Sequence, residues 1–293
     1  WRNPKDPWGF STRNCIWNPC DNRRVLRFAK GHGTRNDFVL VTDADDARPL
    51  TDDDVRFLAD RRSGIGGDGV LRAVRARHVP GWDGDPDLWF MDYRNADGSI
   101  AEMCGNGVRV FARYLVEEGL VPEGTTSIDL GTRAGLRTAE LLPDGRVRVW
   151  MGRPETNDAG TVVRVDGQEW GATSVDVGNP HAVVLLGEGD ALAALDLGDA
   201  PEWTPRANFP HGVNVEFVDE LAEDRVRMRV FERGVGETES CGTGTVAVAS
   251  AVARAHGKTE GRWTVEVPGG EVVVDLAGGE AWLTGPAVIV ARG

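Results

Sequence analysis

Cysteine is scarce, with four thiols in 293 residues. So few cannot knit a chain of this length into a disulfide framework, and the spacing of Cys15, Cys20, Cys104 and Cys241 fits no zinc site. Positive charge is also short: 33 lysines and arginines stand against 46 acids, for a formal charge of −13. Nothing in that balance offsets phosphate repulsion, which argues against nucleic acid or an anionic membrane as partner. The grouped Arg72, Arg75 and Arg77 are read as a solvated face. No apolar run approaches the ~18 residues that span a bilayer and no charged-then-apolar leader opens the sequence, so a cytoplasmic protein is expected. Neither a lysine in a pyridoxal-binding context nor a metal-ligand cluster is apparent, so no cofactor and no metal are expected.

Glycine, by contrast, is plentiful at 38 residues, in a composition that is 41% hydrophobic and 27% charged. This is an ordered globular composition with many tight turns. The length exceeds what one core usually supports, so two domains are expected. Trp1 to Arg24 carries no periodicity and is set apart as an extension outside the fold, with Cys15 and Cys20 as incidental thiols. From Val25 short β-like runs alternate with turns, among them Phe38 to Thr42, Val70 to Val74, Leu88 to Met91, Val147 to Met151, Val162 to Val165, His181 to Leu186, Val213 to Val218 and Val226 to Phe231. Val265 to Val267 and Val272 to Leu276 flank Pro268-Gly269-Gly270, a hairpin signal. Thr51 followed by Asp52, Asp53 and Asp54 starts a helix expected to end near Arg62, because the hydroxyl caps free N–H groups and the acids complement the dipole.

Two further helices carry the argument. Val108, Phe111, Ala112 and Leu115 fall at i, i+3, i+4 and i+7, and Gly119 closes the segment, which predicts a helix from Gly105 to Glu118. A second, from Gly242 to Ala255, is apolar nearly all round and must be buried on most sides. Short strands around buried helices make an α+β arrangement.

The two helices open on a repeat. Glu102-Met-Cys104-Gly-Asn-Gly107 and Glu239-Ser-Cys241-Gly-Thr-Gly244 share E-x-C-G-x-G, and the copies lie about half the ordered chain apart. At one and the same offset before each cysteine a polar residue, Asn95 or Glu232, closes a strand-like run. Two similar halves follow, each a strand-rich shell around a helix that begins at a cysteine. A helix start presents unpaired N–H groups and partial positive charge, and flanking glycines let a carboxylate approach closely. The same field favours thiolate over thiol, so each cysteine is expected to have a lowered pKa. If the halves face each other, both helix starts can grip one carboxylate while the sulfurs flank the carbon beside it. That is a racemase geometry: one thiolate takes the α-proton, the opposite thiol supplies another, and N–H donors hold the enolate-like intermediate. Such a pair titrates as a coupled unit. His181 and Glu232 are the neighbours singled out to set which sulfur is ionised; taken alone, each also has an ordinary reading as a turn histidine and an ion-pair partner.

These stretches closely resemble the diaminopimelate epimerase family. The similarity is carried by Asn95-Ala-Asp-Gly-Ser through Cys104-Gly-Asn-Gly and by Glu232-Arg-Gly-Val-Gly-Glu-Thr through Cys241-Gly-Thr-Gly-Thr. Gly31-His-Gly-Thr-Arg-Asn36-Asp-Phe, Gly64-Ile-Gly-Gly-Asp68-Gly, Gly178-Asn-Pro-His181 and Gly212-Val-Asn214-Val-Glu add to it, in the family's order from about Arg27 to the end. The resemblance implies an isomerase that interconverts L,L- and meso-diaminopimelate, without pyridoxal phosphate, in lysine and peptidoglycan precursor synthesis. It implies two pseudo-symmetric domains, each a closed strand layer around a central helix: residues 25–148 with a returning strand at 286–293, and residues 149–285. Carried over, Cys104 and Cys241 are the acid–base thiols, and Gly105, Asn106, Gly242 and Thr243 serve the reacting carboxylate. Asn36, Asn95, Asn179, Asn214, Glu232 and Arg233 contact the rest of the substrate, a guanidinium fork suiting a carboxylate, and His181 and Glu232 tune the sulfurs. Gly69 stands where some members have glutamine, and Ala291 where some place an aromatic at a dimer interface; a homodimer remains the expected assembly.

Three rivals share some of these features. A proline or hydroxyproline racemase has the opposed cysteines, but typically a histidine where Asn106 stands, and a cyclic imino acid offers Arg233 no distal group. A redox dithiol would pair Cys104 with Cys241 in a disulfide. A cysteine hydrolase needs one nucleophile and leaves the second motif unexplained.

Overall fold

The computed structural model describes residues 26–187 and 191–293. The expected extension, with Cys15 and Cys20, lies outside the described residues. The α+β expectation holds: eighteen strands and three α-helices, α1 (Asp52–Ala59), α2 (Gly105–Glu117) and α3 (Gly242–Ala255), are described. Among the described residues no helix is long and apolar enough to cross a membrane.

The strands form one continuous ladder in which the repeat becomes visible. In the first half Ala29–Gly33, Asn36–Thr42, Gly69–Arg75, Trp89–Asn95, Ser127–Thr132, Gly135–Leu141 and Val147–Gly152 pair in succession as antiparallel, parallel, antiparallel, parallel, antiparallel, antiparallel. The second half repeats that sequence of pairings through Gln168–Asp176, Pro180–Leu185, Asn214–Ala222, Arg225–Glu232, Gly261–Val267, Gly270–Ala277 and Glu280–Gly285. Both helices occupy the same step, α2 before Ser127–Thr132 and α3 before Gly261–Val267. The two ladders join where Val147–Gly152 pairs antiparallel with Glu280–Gly285. The last strand, Val288–Arg292, returns to pair with Ala29–Gly33, while Glu155–Val165 does the same service for Gln168–Asp176.

Each ladder curls around its helix, so strands from both of its ends touch α2 in one half and α3 in the other. The apolar stripe of α2 (Val108, Phe111, Ala112, Leu115) is fully buried, and every residue of α3 from Gly242 to Ala253 is buried. One core runs continuously past both helices, from Phe38 and Met91 on one side to Val246 and Val274 on the other. Fully burying an apolar side chain of this size contributes about 1.5–3 kcal/mol.

Two expectations about the fold need correction. α1 stops at Ala59 rather than near Arg62, because the Asp60 carboxylate accepts the N–H groups of Arg62 and Ser63 at 2.8 and 2.6 Å and turns the chain. Arg72 is no solvated face: it is buried and paired with Asp43, Asp46 and Asp92 at 3.0, 2.5 and 3.0 Å. The strands Ala29–Gly33, Ser127–Thr132, Gly135–Leu141, Gln168–Asp176 and Glu280–Gly285 lie outside the runs read from the sequence, since glycines and polar residues break their apolar pattern.

Candidate active site

Each cysteine is the N-cap of its helix, in extended backbone, with its sulfur accepting the N–H of the third residue on. The Cys104 Sγ takes Gly107 N–H at 3.5 Å and the Cys241 Sγ takes Gly244 N–H at 3.4 Å. The helix starts meet head to head. A Cβ built on Gly242 would lie 3.1 Å from Gly105 Cα and 3.3 Å from Asn106 N, so the glycine after Cys241 is what allows the approach. Cross-links fix the meeting: Asn106 donates to the Ser240 carbonyl at 3.1 Å, and Thr34 and Ser240 share a buried hydroxyl bond of 2.7 Å.

Glu232 ties the sulfurs to one space. Its carboxylate accepts from Thr238 Oγ1 at 2.5 Å, and its charge acts on both Cys241 and Cys104. His181 is fully buried near Cys241, with Nδ1 2.7 Å from Glu216 Oε1 and Nε2 3.0 Å from Asn179 Oδ1. Both ring nitrogens thus face oxygen acceptors.

The remaining expected residues fall into two groups. Asn36 accepts from the Cys104 thiol at 3.4 Å and from Asn106 at 3.3 Å, while donating to Asp68 at 2.8 Å. Thr243 Oγ1 lies 3.5 Å from the Cys241 sulfur. Asn214 accepts the Arg233 N–H at 2.9 Å and donates to the Pro180 carbonyl, which joins the Asn179 turn to the Glu232 strand end. The Arg233 guanidinium reaches only the His211 carbonyl at 3.4 Å, and among the described residues no carboxylate pairs with it. Asn95 stands apart, its amide donating to Ser99 Oγ at 3.0 Å within its own turn. Among the described residues no three His, Cys, Asp or Glu side chains gather as for a metal ion.

Burial reverses one expectation. The helix-start N–H groups do pull both thiols down, but desolvation outweighs them: Cys104 is pushed up to about 11, and Cys241 is raised well above its ordinary value. Glu232 is raised too, first by burial and then by the neighbouring Glu216. Sequence reasoning passed over Glu216, which is fully buried, with one oxygen on His181 and the other, Oε2, without a partner. Its signal was a lone acid inside the apolar run Val213 to Val218. Tyr93, buried and within electrostatic reach of both sulfurs, was passed over as well.

The diaminopimelate epimerase family model matches residues 28–157 and 173–290. The chain belongs to the diaminopimelate epimerase family. A diaminopimelate epimerase of Corynebacterium glutamicum is 51% identical over 273 residues, covering 92% of this chain and 98% of that protein. Solved structures share the fold at low identity. A Bacillus anthracis phenazine biosynthesis protein of the PhzF family superposes with a TM-score of 0.66 at 17% identity, covering 92% of this chain and 98% of the other. A hydroxyproline epimerase from Agrobacterium vitis gives 0.61 at 17%, covering 92% of each chain. The fold is therefore that of the diaminopimelate epimerase family, shared with racemase and PhzF proteins, and the chain is an isomerase of the epimerase type.

A surface cleft of about 620 Å³ elsewhere, lined by Arg225, Arg227 and Arg229, has no part in this site. Its arginines are already paired with Glu266, Glu271 and Glu237.

Proposed function

We propose that Cys104 and Cys241 are the thiol and thiolate with which this chain inverts one α-carbon of diaminopimelate, interconverting the L,L and meso isomers for lysine and peptidoglycan precursor synthesis. The family supplies the reaction and substrate; the roles of the residues rest on the site. One observation carries them: two helix starts abut, each capped by a cysteine, with the single carboxylate of Glu232 acting on both sulfurs.

The substrate carboxylate next to the reacting carbon sits between the helix starts, where the N–H groups of Gly105, Asn106, Gly242 and Thr243 donate to it. One sulfur, as thiolate, takes the α-proton from one face, and the other, as thiol, delivers a proton to the opposite face. Negative charge moves onto the carboxylate oxygens during the transfer, and each preorganised donor aimed there is worth about 10²–10³ in rate. Arg233, with no acid of its own, takes the distal carboxylate, while Asn36, Asn95, Asn179 and Asn214 hold the amino and remaining polar groups. His181 and Glu232 govern which sulfur holds the proton. Raised thiol pKa values suit the task, because a thiolate in a dry pocket is a stronger base than one in water. The chemistry needs no cofactor. In this reading residues 25–148 with 286–293 and residues 149–285 are the two domains, the enzyme is cytoplasmic, and a homodimer covers Val288 and Val290, exposed on the last strand.

A proline or hydroxyproline racemase is the second reading, since the fold is common to both. The Arg233 guanidinium and the buried Asn106 argue for the acyclic substrate with a distal carboxylate. Incubation with L,L-diaminopimelate in deuterated water, followed by chiral analysis, tests the choice. Meso product with deuterium at one α-carbon, formed without added pyridoxal phosphate or metal, is the expected result. Inversion of proline with no action on diaminopimelate would replace it.

A further inference from the structure

Asp68, in the stretch Gly64-Ile-Gly-Gly-Asp68-Gly, takes no part in the chemistry above, yet it is braced from several sides. Its backbone N–H donates to the Asp37 carbonyl at 2.8 Å and its carbonyl accepts the Ala96 N–H at 3.1 Å, which ties it to the strand Asn36–Thr42 and to the turn after Asn95. Its carboxylate is held at both oxygens. Oδ1 accepts from Arg61 at 2.9 Å, while Oδ2 accepts the Asp37 N–H at 3.0 Å and the Asn36 side-chain amide at 2.8 Å. Held in this way, the carboxylate keeps one orientation although its side chain is 43% exposed.

A carboxylate has no hydrogen to give, so the Asn36 nitrogen must face Asp68 and the amide oxygen must point the other way. That oxygen accepts from the Cys104 thiol at 3.4 Å. Asn106 also reaches it, at 3.3 Å, but both hydrogens of the Asn106 amide have nearer acceptors in the Ser240 carbonyl at 3.1 Å and the Ser240 hydroxyl at 3.2 Å. The bond to Asp68 is therefore the firm hold on the Asn36 amide. An amide oxygen can take the hydrogen of a thiol, whereas it has nothing to offer a thiolate, which is itself an acceptor. The other half differs. The Cys241 sulfur meets the Thr243 hydroxyl at 3.5 Å, a group that can give a hydrogen as well as take one, and Asn179, at the matching turn, points its oxygen to His181.

We propose that Asp68 is a positioning residue which, by holding the Asn36 nitrogen, turns the amide oxygen onto Cys104 and keeps that sulfur a thiol in the resting site. This rests on the two-thiol reading above and deepens it. When Cys104 is the acid, its S–H bond breaks with the electron pair left on sulfur, and a C–H bond forms with the electron pair of the enolate-like substrate. In the opposite direction the C–H pair stays on the substrate, and a Cys104 thiolate facing an oxygen that cannot donate is the stronger base for it. Asp68 touches no substrate; it acts through Asn36. The other charged and titratable groups around Cys104 are Glu232 from the strand Arg225–Glu232, Tyr93 from the strand Trp89–Asn95, and Arg109 from its own helix. Arg109 is buried, and its guanidinium meets the Pro286 carbonyl and Thr34 Oγ1, each at 3.3 Å, rather than an acid. Burial, with Glu232 behind it, pushes the Cys104 thiol up to about 11, the same direction in which the Asn36 oxygen acts.

The test is the pH dependence of iodoacetamide alkylation at Cys104 of the intact chain, read by peptide mass spectrometry with Cys241 as internal reference. Asp68→Ala frees the Asn36 amide to turn its N–H groups to the sulfur. The Cys104 midpoint is then expected to fall by about one pH unit, a tenfold gain in thiolate fraction, with Cys241 in place. Asp68→Asn removes the charge but keeps an oxygen for the Asn36 nitrogen, and is expected to stay near the parent value. Asn36→Ala opens the place to water, which can donate to a thiolate, and is expected to lower the midpoint as Asp68→Ala does. Adding Asp68→Ala to Asn36→Ala should then change nothing. A midpoint that does not fall in Asp68→Ala overturns the proposal. Equal falls in Asp68→Ala and Asp68→Asn, or a further fall in the double variant, overturn it by assigning the effect to bare charge. Should Asp68→Ala fail to fold, Asn36→Ala and Asp68→Asn decide: an unmoved midpoint in the first, or an equal fall in both, overturns the proposal. None of these readouts uses turnover, so failure of the epimerase reading would appear separately, as missing deuterium incorporation by the parent chain.

Discussion

At Cys104 the thiol is half-buried, bonds to Asn36 and shares its helix with an unpaired guanidinium, whereas at Cys241 the thiol is 6% exposed and faces Glu216 and Glu232. The backbone of the two sites is nevertheless the same: an extended N-cap cysteine, a glycine, and a sulfur accepting the third N–H. On the proposed reading, the two halves keep in common what both must do alike, which is to hold a carboxylate between two helix starts. Divergence fell on the side chains behind the sulfurs. Two-base inversion needs one sulfur charged and the other protonated at a time, and each inversion exchanges those roles.

The largest effect expected is loss of either sulfur. Cys104→Ala and Cys241→Ala should each lower epimerisation at least about 10³-fold. Each should still exchange the α-hydrogen of one isomer with deuterated solvent, and the two variants should favour opposite isomers. Exchange of both isomers by one variant would break the assignment of one sulfur to one face; a rate within tenfold of the parent would remove the two-thiol mechanism.

Next in size is Glu216→Gln. It removes one of two carboxylates that raise the Cys241 pKa and takes the charge from the partner of His181. The Cys241 alkylation midpoint should fall by roughly one pH unit, narrowing the gap between the sulfurs. Turnover should drop with it, since the less basic thiolate is the weaker proton acceptor on return. An unmoved Cys241 midpoint would mean that Glu216 serves packing only. Glu216→Ala, which leaves the buried His181 Nδ1 without its partner, should cost about 1–3 kcal/mol in urea denaturation.

How much of this site was legible in the sequence follows the same division. The shared features were readable, because local rules produce them: the E-x-C-G-x-G repeat, the start of both helices, and the burial of α3 from its all-round apolar pattern. The differing features were not. Arg109 sits between Val108 and Val110 and Glu216 between Val215 and Phe217, where a lone charge reads as an exposed position on a half-buried element. Only the curling of a ladder around α2, and the parallel pairing that sets Pro180–Leu185 beside Asn214–Ala222, turn those positions inward. Arg72 misled for the same reason. The lowered thiol pKa expected from a helix start was a local inference too, and burial, a property of the assembled halves, overruled it.

The smallest effect is also the most direct probe of how the halves meet. A methyl group at Gly105 would press on Met151 Cε at 2.9 Å and on Leu283 Cδ2 at 3.1 Å, ends of side chains that can rotate away. A methyl at Gly242 would instead press on Gly105 Cα at 3.1 Å and on the Asn106 and Gly105 nitrogens at 3.3 Å, which is helix backbone with nowhere to go. Gly105→Ala should therefore be near neutral in stability, its crowding offset by the roughly 0.4–1 kcal/mol that alanine gains over glycine through the unfolded chain. Gly242→Ala should cost about 1–3 kcal/mol. Activity should separate the two more sharply than stability does. Parting the helix starts by even ~1 Å moves both sulfurs and the N–H donors off the reacting carbon, a displacement worth about 10² in rate. Urea denaturation alongside kcat/KM for both variants measures the contrast, and equal losses at Gly105 and Gly242 would mean that the helix starts do not bear on each other through their backbones.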